Sequence, residues 1–390
     1  MQRSSLAAPR LTLALVVAST VLAIMGTDLV LPAVPSLPQA LGGDAARAQF
    51  VLAAYVGGTC VGLIAYGALG DRVATSRLFA GSLLATAVVS FACAAAGDIT
   101  TLIALRALQG AVAAGPAVFA PGIVKALFDD TRAVRAIGLL GSIEALAPAL
   151  APIVGVWLLA VGGWRLSFEL IGIVALALAA TVLLSGLVPQ TARRPRGGYA
   201  RLIADPVYLR YALSQGFALG GLLTFVFGMP AVFVHALGGS LTNFIVMQVC
   251  GIATFMTCAN LAGLAAQRFG AERMIALGTA TSAFGAAAIL AYALGGGADA
   301  LMVAPLWVPV NVGFGLRGPP GFFRAVVAAH GDDARGAALV ILAILAIAGA
   351  GTALAAPFVA QGLVALAAVA LALHALAVLC LAVLPRLADG

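Results

Sequence analysis

The polypeptide has 390 residues, of which 63% are hydrophobic and 9% are charged, and its mean hydropathy is +1.12. A soluble domain has about 25% charged residues, so this composition excludes a water-soluble protein and indicates one that lies in a lipid bilayer. The net charge of +7 comes from basic residues scattered singly between apolar runs, which excludes the basic stripe of a nucleic-acid-binding surface.

Twelve apolar segments are long enough to cross a bilayer as α-helices, which requires about 20 residues. Six lie in the first half of the chain, at about 11–34, 49–69, 78–97, 99–124, 136–160 and 165–188. After a polar, basic stretch, six more lie at about 208–235, 243–266, 273–295, 299–327, 336–359 and 361–384. The tenth is interrupted by Gly-Pro-Pro-Gly at 318–321, which leaves a break in that helix as an alternative.

The basic residues are distributed asymmetrically between the two sides of these segments. If the N-terminus is cytoplasmic, 17 of the 21 arginines and lysines lie at cytoplasmic positions, two lie outside and two lie within spans. Cytoplasmic loops of membrane proteins carry the excess of basic residues. We therefore expect both termini on the cytoplasmic side.

Two short repeats link corresponding loops of the two halves of the sequence. The loop after the second span reads GALGDRVATSR at 67–77, and the loop after the eighth reads GLAAQRFGAER at 263–273. The sequence DDTR at 129–132 corresponds to DDAR at 332–335. The two offsets are 196 and 203 residues, so each repeat is displaced by about half the chain.

This repetition predicts an all-α membrane protein with twelve transmembrane helices in two pseudo-symmetric six-helix halves. The halves are an N-terminal bundle at 1–188 and a C-terminal bundle at 208–390, joined by a cytoplasmic basic linker at 189–207. Repeated bundles around a site near the bilayer midplane are typical of secondary transporters.

Five motifs, in the order expected along the helices, carry a resemblance to a known family. They are TDLVLPAVPSLPQAL at 27–41, GALGDR at 67–72, LIALRALQGAVAAGPAV at 102–118, EALAPALAPIVG at 144–155 and GWRLSF at 163–168. Together they resemble the major facilitator superfamily over essentially the whole chain, and in particular its drug/proton antiporter branch of the bicyclomycin and chloramphenicol type. The resemblance implies the major facilitator fold and proton-driven antiport across the inner membrane of a bacterium.

The chain departs from the family pattern in two loops. After Asp71 and Arg72 the family usually continues with glycine and basic residues, but here Ala74, Thr75 and Ser76 follow, and the second-half copy has Gln267 at the position that corresponds to Asp71. The resemblance implies that these loops latch the cytoplasmic ends of the two halves, and the departures imply a weaker latch in this chain. Asp71 and Arg72 are predicted to have a structural or pKa-tuning role.

Two charged residues are predicted at similar depth in the outer third of the first half. Asp28 lies about 17 residues into the first span, and Arg106 lies about 7 residues into the fourth, which runs inward. An ionisable group inside a membrane is a functional candidate by default. We predict that Asp28 is the main proton carrier, the alternative being a structural ion pair with Arg106. For Arg106 we favour a structural or pKa-tuning role over substrate contact.

Glu144 and Arg317 are further charged residues within the predicted spans. Glu144 precedes Pro148 and Pro152 and is predicted to be a second proton site or a cation-binding carboxylate, or else a neutral hydrogen-bonded residue near the cytoplasmic mouth. Arg317 lies two residues before Pro319, where an apolar residue is more ordinary in this branch. It is predicted either to contact an anionic substrate group or, if the helix breaks, to reach the cytoplasmic interface.

Uncharged polar side chains complete the predicted substrate site. Tyr55, Gln109, Asn260 and Asn311 either supply hydrogen bonds to a ligand or tie helices together. The five cysteines lie inside apolar segments without a CxxC spacing, so we expect no metal site. The sequence contains no ATP-binding P-loop, HExxH or GxSxG motif, which argues against an ATP-driven pump and against an enzyme.

The leading prediction is a proton-coupled exporter of a small amphipathic, drug-like molecule that works by alternating access. The alternative is an exporter of an anionic metabolite or siderophore-like compound with Arg317 as the anion anchor, and a non-transporting receptor or scaffold is a remote alternative. We expect protons, the lipid bilayer and a small-molecule substrate as partners of a monomeric chain. No nucleic acid is expected, and no cofactor besides the proton gradient.

Overall fold

The computed structural model describes residues 3–189, 198–239 and 241–387, and these residues form helices and turns without any β-strand. The first part of the chain contains α1 (Arg3–Asp28), α2 (Leu37–Leu41), α3 (Ala45–Leu69), α4 (Thr75–Ala94), α5 (Ile99–Ala113), α6 (Gly115–Leu127) and α7 (Asp130–Ser185). The second part contains α8 (Tyr199–Ala204), α9 (Pro206–His235), α10 (Leu241–Phe269), α11 (Ala271–Leu294), α12 (Ala300–Ala328), α13 (Asp333–Ala355) and α14 (Leu363–Val383).

The chain forms two compact units, and each takes a short segment from the other half of the sequence. Unit 1 comprises 1–128, 143–196 and 332–338, and unit 2 comprises 129–142, 197–331 and 339–390. The predicted division of the sequence at 189–207 stays a prediction. Within that stretch α8 forms a short helix, and residues 190–197 lie outside the described part of the chain.

The helices account for the predicted number of membrane crossings. Within the described residues, 11 stretches are long and apolar enough to cross a membrane. The 56 residues of α7 would extend about 84 Å if straight, against a hydrocarbon thickness of about 30 Å. The backbone at Gly163 is not helical (φ 73°, ψ −173°), so α7 consists of two helices that meet there. These two helices are the predicted fifth and sixth spans, and counting them separately raises the 11 stretches to the twelve predicted crossings. The all-helical architecture is therefore confirmed.

The first span differs from the continuous helix predicted at 11–34. Its α-helical part ends at Asp28 and is followed by a 3-10 helix at Leu31–Ser36 and by α2. Pro32, Pro35 and Pro38 lie in this part, and each lacks the amide hydrogen that an α-helix needs and crowds the preceding turn. The α-helix therefore stops just before the proline-rich segment and leaves Asp28 at its C-terminal end.

The tenth span is a continuous helix, so the alternative in which it breaks at 318–321 is wrong. Helix α12 continues through Pro319 and Pro320 to Ala328. Prolines are tolerated within transmembrane helices because neighbouring helices and local adjustments satisfy the backbone groups that they free. Arg317 therefore lies within the helix rather than beside a break.

Aspartates begin several helices and fix where the transmembrane segments start. The carboxylates of Asp44, Asp98, Asp205 and Asp299 each accept a hydrogen bond from a backbone amide in the first turn of the helix that follows. Such caps satisfy amides that have no partner within the helix. The hydroxyl and amide of Thr101 donate to Asp98 and lower the pKa of its carboxyl group.

Glycines bring α3 and α5 into backbone contact in unit 1. A Cβ atom on Gly58 would overlap the carbonyl group of Ala107, and one on Gly110 would overlap the carbonyl group of Tyr55. Small residues spaced in this way let transmembrane helices approach closely. The close approach places Tyr55 next to α5, where the candidate site begins.

Candidate functional site

Arg106 on α5 is the centre of a buried polar cluster in unit 1. Its side chain is completely buried. Nη1 donates to the Gly26 carbonyl oxygen at 3.0 Å and to Gln109 Oε1 at 2.6 Å, and Nε donates to the Val51 carbonyl oxygen at 3.2 Å. Because Gly26 is on α1 and Val51 is on α3, the guanidinium group ties three helices together.

Tyr55 and Gln109, which were predicted as ligand contacts, are held within the same cluster. The guanidinium carbon of Arg106 lies 4.2 Å from the centroid of the Tyr55 ring, and the Tyr55 hydroxyl donates to the Ala23 carbonyl oxygen at 2.6 Å. Gln109 Nε2 donates to Ser90 Oγ at 2.7 Å. Neutral acceptors and an aromatic ring therefore surround the buried charge, an arrangement that favours the structural role predicted for Arg106.

Asp28 is half-buried at the C-terminal end of α1. It forms no ion pair within 4.0 Å with Arg106, although both residues are described. Arg106 instead binds the backbone of Gly26, two residues earlier. The structural ion pair considered as the alternative role of Asp28 is thus not formed, and its carboxylate interacts electrostatically with Tyr55.

A second carboxyl group meets α1 nearer the start of the chain. Glu144 on α7 is half-buried, and its carboxyl group lies beside the hydroxyl of Thr20. Thr20 is itself buried, and its hydroxyl donates to the Val17 carbonyl oxygen at 3.0 Å. Thr20 and Asp28 are eight residues apart on α1, a rise of about 12 Å, so the two carboxyl groups contact the same helix at different depths.

Arg317 is the buried arginine of unit 2. Its side chain is 0% exposed. Nη1 donates to the Ser214 carbonyl oxygen at 2.7 Å and Nη2 to Ser214 Oγ at 3.1 Å, which attaches α12 to α9. The alternative in which the Arg317 side chain reaches the cytoplasmic interface is therefore wrong. Contact with an anionic substrate stays a prediction, and this structure offers such a substrate no access to the side chain.

The two asparagines predicted as ligand contacts also make hydrogen bonds within unit 2. Asn311 Nδ2 donates to the Trp307 carbonyl oxygen at 3.0 Å and is buried. Asn260 Nδ2 donates to Ser142 Oγ at 3.0 Å and to the Met256 carbonyl oxygen at 2.8 Å. Of the two, Asn260 is half-exposed and is the one with a surface left for a ligand.

Asp71 belongs to a cluster of charged residues in unit 1. Arg335 at the start of α13 contacts the carboxylate of Asp71 and lies 2.8 Å from Asp332 Oδ2. Lys125 Nζ lies 3.0 Å from Asp333 Oδ1. Burial raises the pKa of Asp332, against the opposing effect of Arg335. The GALGDR and DDAR sequences, identified separately as repeats, therefore contact each other.

Arg72 does not join this cluster. Its side chain is exposed, and no carboxylate of the described residues lies within 4.0 Å of it. The structural or pKa-tuning role predicted for Arg72 therefore has no contact that supports it.

Three polar residues that sequence reasoning overlooked belong to these clusters. They are Thr20 beside Glu144, Ser214 beside Arg317, and His374 on α14. His374 is buried, and its Nδ1 has no hydrogen-bond partner among the described residues. A lone histidine in an otherwise apolar span was a usable signal, whereas threonine and serine are too common in transmembrane helices to stand out.

The fold is similar to that of a solved transporter along almost its whole length. The Major Facilitator Superfamily transporter FucP, solved in an outward conformation, matches with a TM-score of 0.73. The match covers 96% of this chain and 99% of FucP. Since only 13% of the residues are identical, the likeness concerns the fold alone.

Sequence comparisons identify more similar relatives. The chain is 30% identical over 232 residues to the uncharacterized transporter YdgK of Bacillus subtilis, a match that covers 56% of this chain and 58% of YdgK. It is 26% identical over 306 residues to the chloramphenicol resistance protein of Pseudomonas aeruginosa, covering 76% of this chain and 71% of that protein. The matched stretch thus spans little more than half of the first relative.

These relatives confirm the resemblance to the drug/proton antiporter branch, because antibiotic and multidrug resistance proteins are among them. The model of the Major Facilitator Superfamily matches residues 16–347, which is most of the chain. That family consists of transporters rather than enzymes. From its multiple membrane-crossing helices, its fold and this match, the chain belongs to the Major Facilitator Superfamily.

Proposed function

We propose that this transporter is a proton-coupled exporter, which exchanges protons for a small amphipathic, drug-like molecule by alternating access. The proposal places the chain in the inner membrane of a bacterium as a monomer, with both termini in the cytoplasm, and requires only the proton gradient as a driving force. The positive-inside asymmetry of the arginines and lysines supports this orientation.

The observation that carries the proposal is that two intramembrane carboxyl groups of unit 1 have no cation partner in the described part of the chain. Neither Asp28 nor Glu144 has a basic group within 4.0 Å among the described residues. By contrast, Asp71 and Glu272 each pair with an arginine. An unpaired carboxylate in a membrane is costly unless it binds a proton or meets water, so these two groups are suited to carry protons.

The contact between Glu144 and Thr20 supplies a means of coupling a proton to a helix. A hydroxyl group has a single proton to donate. If Glu144 is ionised, Thr20 donates that proton to the carboxylate; if Glu144 is protonated, its carboxyl group donates, and Thr20 keeps its bond to the Val17 carbonyl oxygen. Protonation of Glu144 therefore reverses the direction of this hydrogen bond and determines whether the Val17 carbonyl oxygen of α1 has Thr20 as its donor.

Asp28 is suited to couple protonation to helix contacts at the C-terminal end of α1. It is half-buried where the α-helix stops, and its charge acts on the Tyr55 hydroxyl, which is anchored on Ala23 of α1. A ligand or water that reaches Asp28 therefore acts on the junction of α1 with α3. A rearrangement at this junction would let substrate and proton compete for one site, which is the requirement for antiport.

The proposal is tested by drug accumulation in an efflux-deficient bacterium that expresses the chain. Chloramphenicol, named in the relative from Pseudomonas aeruginosa, is the first probe, and a lipophilic cation such as ethidium is the second. We expect lower accumulation of at least one probe than in cells with an empty vector, and we expect an uncoupler of the proton gradient to abolish the difference. Export that survives the uncoupler would refute proton coupling.

Matched variants assign the effect to the proton site. Asp28→Asn should raise accumulation to the empty-vector level. Asp44→Asn should leave export unchanged, because Asp44 is an exposed helix cap and asparagine caps a helix equally well. Equal export by both variants, at equal amounts of protein in the membrane, would exclude Asp28 as the proton carrier.

A further inference from the structure

Unit 2 contains a charged cleft at the start of α11 that the transport proposal does not use. Its volume is about 550 Å³, and it is lined by the start of α7, the end of α10, the first turn of α11, the last part of α12 and the chain after α14. All of these segments belong to unit 2. In the orientation proposed above, this cleft faces the cytoplasm.

Three arginines from three separate segments line the cleft. Arg273 belongs to α11, Arg324 to α12, and Arg386 to the chain after α14. Arg273 and Arg386 are exposed, and neither has a carboxylate within 4.0 Å among the described residues. Three guanidinium groups held around one cleft, two of them without a carboxylate, favour an anionic occupant.

Two acidic residues also line the cleft, and neither lies within 4.0 Å of Arg273 or Arg386. Glu272 is engaged elsewhere, because its Oε2 lies 3.4 Å from Arg210 Nη2 and its Oε1 accepts a hydrogen bond of 2.5 Å from the Tyr211 hydroxyl. Asp130, exposed in the first turn of α7, is the only other acidic residue on the lining. The lining therefore keeps a net positive charge.

The first turn of α11 adds a second, independent contribution. The helix begins after Gly270, whose φ of +90° suits glycine, and no side chain caps its amide groups. The first amides of a helix have no partner within the helix, and the helix dipole makes that end positive. Residues 270–273 line the cleft, so these amides and the arginines act on the same space. This is the combination by which proteins bind phosphate groups.

We propose that this cleft, which we call the α11 cleft, binds an anionic phosphate group. Arg273 and Arg386 are the main charged residues that contact the phosphate. The phosphate group belongs either to the headgroup of an anionic lipid or to a soluble phosphate compound. Occupancy also holds the end of the chain in place, because the Leu387 amide donates at 3.0 Å to the Tyr211 hydroxyl that binds Glu272. The ligand therefore stabilises unit 2 and the C-terminal segment together.

The test compares the purified full-length protein with two variants. In Arg273→Gln/Arg386→Gln both charges are removed; in Arg201→Gln, the matched control, an exposed arginine of unit 2 outside the cleft is changed. One arm measures retention of phosphatidylglycerol against phosphatidylcholine by native mass spectrometry. The other arm measures the shift in thermal midpoint with inorganic phosphate against chloride at matched ionic strength.

We expect about 30-fold weaker binding in the double variant, which corresponds to about 1 kcal/mol for each basic residue, and no change in the control. Retention of phosphatidylglycerol without a response to inorganic phosphate identifies the lipid as the source, whereas a response to inorganic phosphate identifies a soluble one. No preference for either phosphate species over its comparison overturns the proposal, as does equal affinity of the wild type and the double variant.

A third variant keeps the proposal testable if the double variant is poorly produced. Asp130→Asn removes the acidic group of the lining that has no role in the Glu272 cluster, so phosphate should bind more tightly. Unchanged or weaker binding in this variant contradicts an anion site.

Discussion

The clearest energetic prediction concerns Arg106→Lys, which keeps the charge in unit 1 but removes the planar group. Lysine cannot reach Gly26, Val51 and Gln109 from one side chain in the same geometry, so at least one of the three hydrogen bonds at 2.6–3.2 Å is lost. A bond in a membrane protein is worth about 0.6–1.7 kcal/mol, and a desolvated cation–ring contact about 2 kcal/mol. The substitution should therefore lower the free energy of unfolding by about 3 kcal/mol.

The assay is reversible unfolding in mixed micelles followed by circular dichroism, with Arg165→Lys as the control. Arg165 donates to the carbonyl oxygens of Ala94 and Ala96 at 2.9 and 3.3 Å and lies 4.3 Å from the ring of Trp164, but it is exposed. Exposed contacts of this kind contribute about 1 kcal/mol or less. Equal destabilisation by the two substitutions would refute the reasoning, because burial would then not matter.

Three further predictions follow from the other clusters. Glu144→Gln should lower the number of protons moved per substrate molecule, and an unchanged ratio in reconstituted vesicles would exclude its role. Arg317→Lys should reduce transport of anionic and neutral probes equally, because the guanidinium binds Ser214; a loss confined to anionic probes would favour substrate contact. Burial raises the pKa of Asp332, so its contribution to stability is largest below the unfolded pKa of about 3.9 and is lost as the pH rises through the folded value. The stability of Asp332→Asn relative to the wild type should therefore increase as the pH rises above about 3.9. Thermal unfolding of both proteins at a series of pH values measures this difference.

Hydropathy was sufficient to predict the crossings, because a membrane-spanning helix must be long and apolar whatever its neighbours are. Hydropathy did not predict which prolines end an α-helix and which lie within one. Pro32 and Pro35 end the α-helical part of the first span, whereas α12 continues through Pro319 and Pro320. Both segments contain closely spaced prolines, and tertiary contacts decide whether the backbone groups freed by a proline find partners.

The residues of the candidate site could be predicted from the sequence, but their contacts could not. Rarity marks Arg106 and Arg317, since a charge in an apolar span needs an explanation. Their partners include the backbone carbonyl oxygens of Gly26, Val51 and Ser214, which every residue possesses and which no pattern can distinguish. The ion pair of Asp28 with Arg106, considered as the alternative role of Asp28, is not formed for this reason: similar depth does not determine which acceptor a guanidinium group reaches.

The central claim is that protons enter the transport cycle through Asp28, and proton movement in proteoliposomes tests it most directly. Purified protein is reconstituted with a pH-sensitive dye inside the vesicles, a pH gradient is imposed, and an exported probe is added. We predict that the probe triggers proton movement with the wild type and with Asp44→Asn, and that Asp28→Asn abolishes it while the probe still binds. Normal probe-driven proton movement in Asp28→Asn would contradict the account.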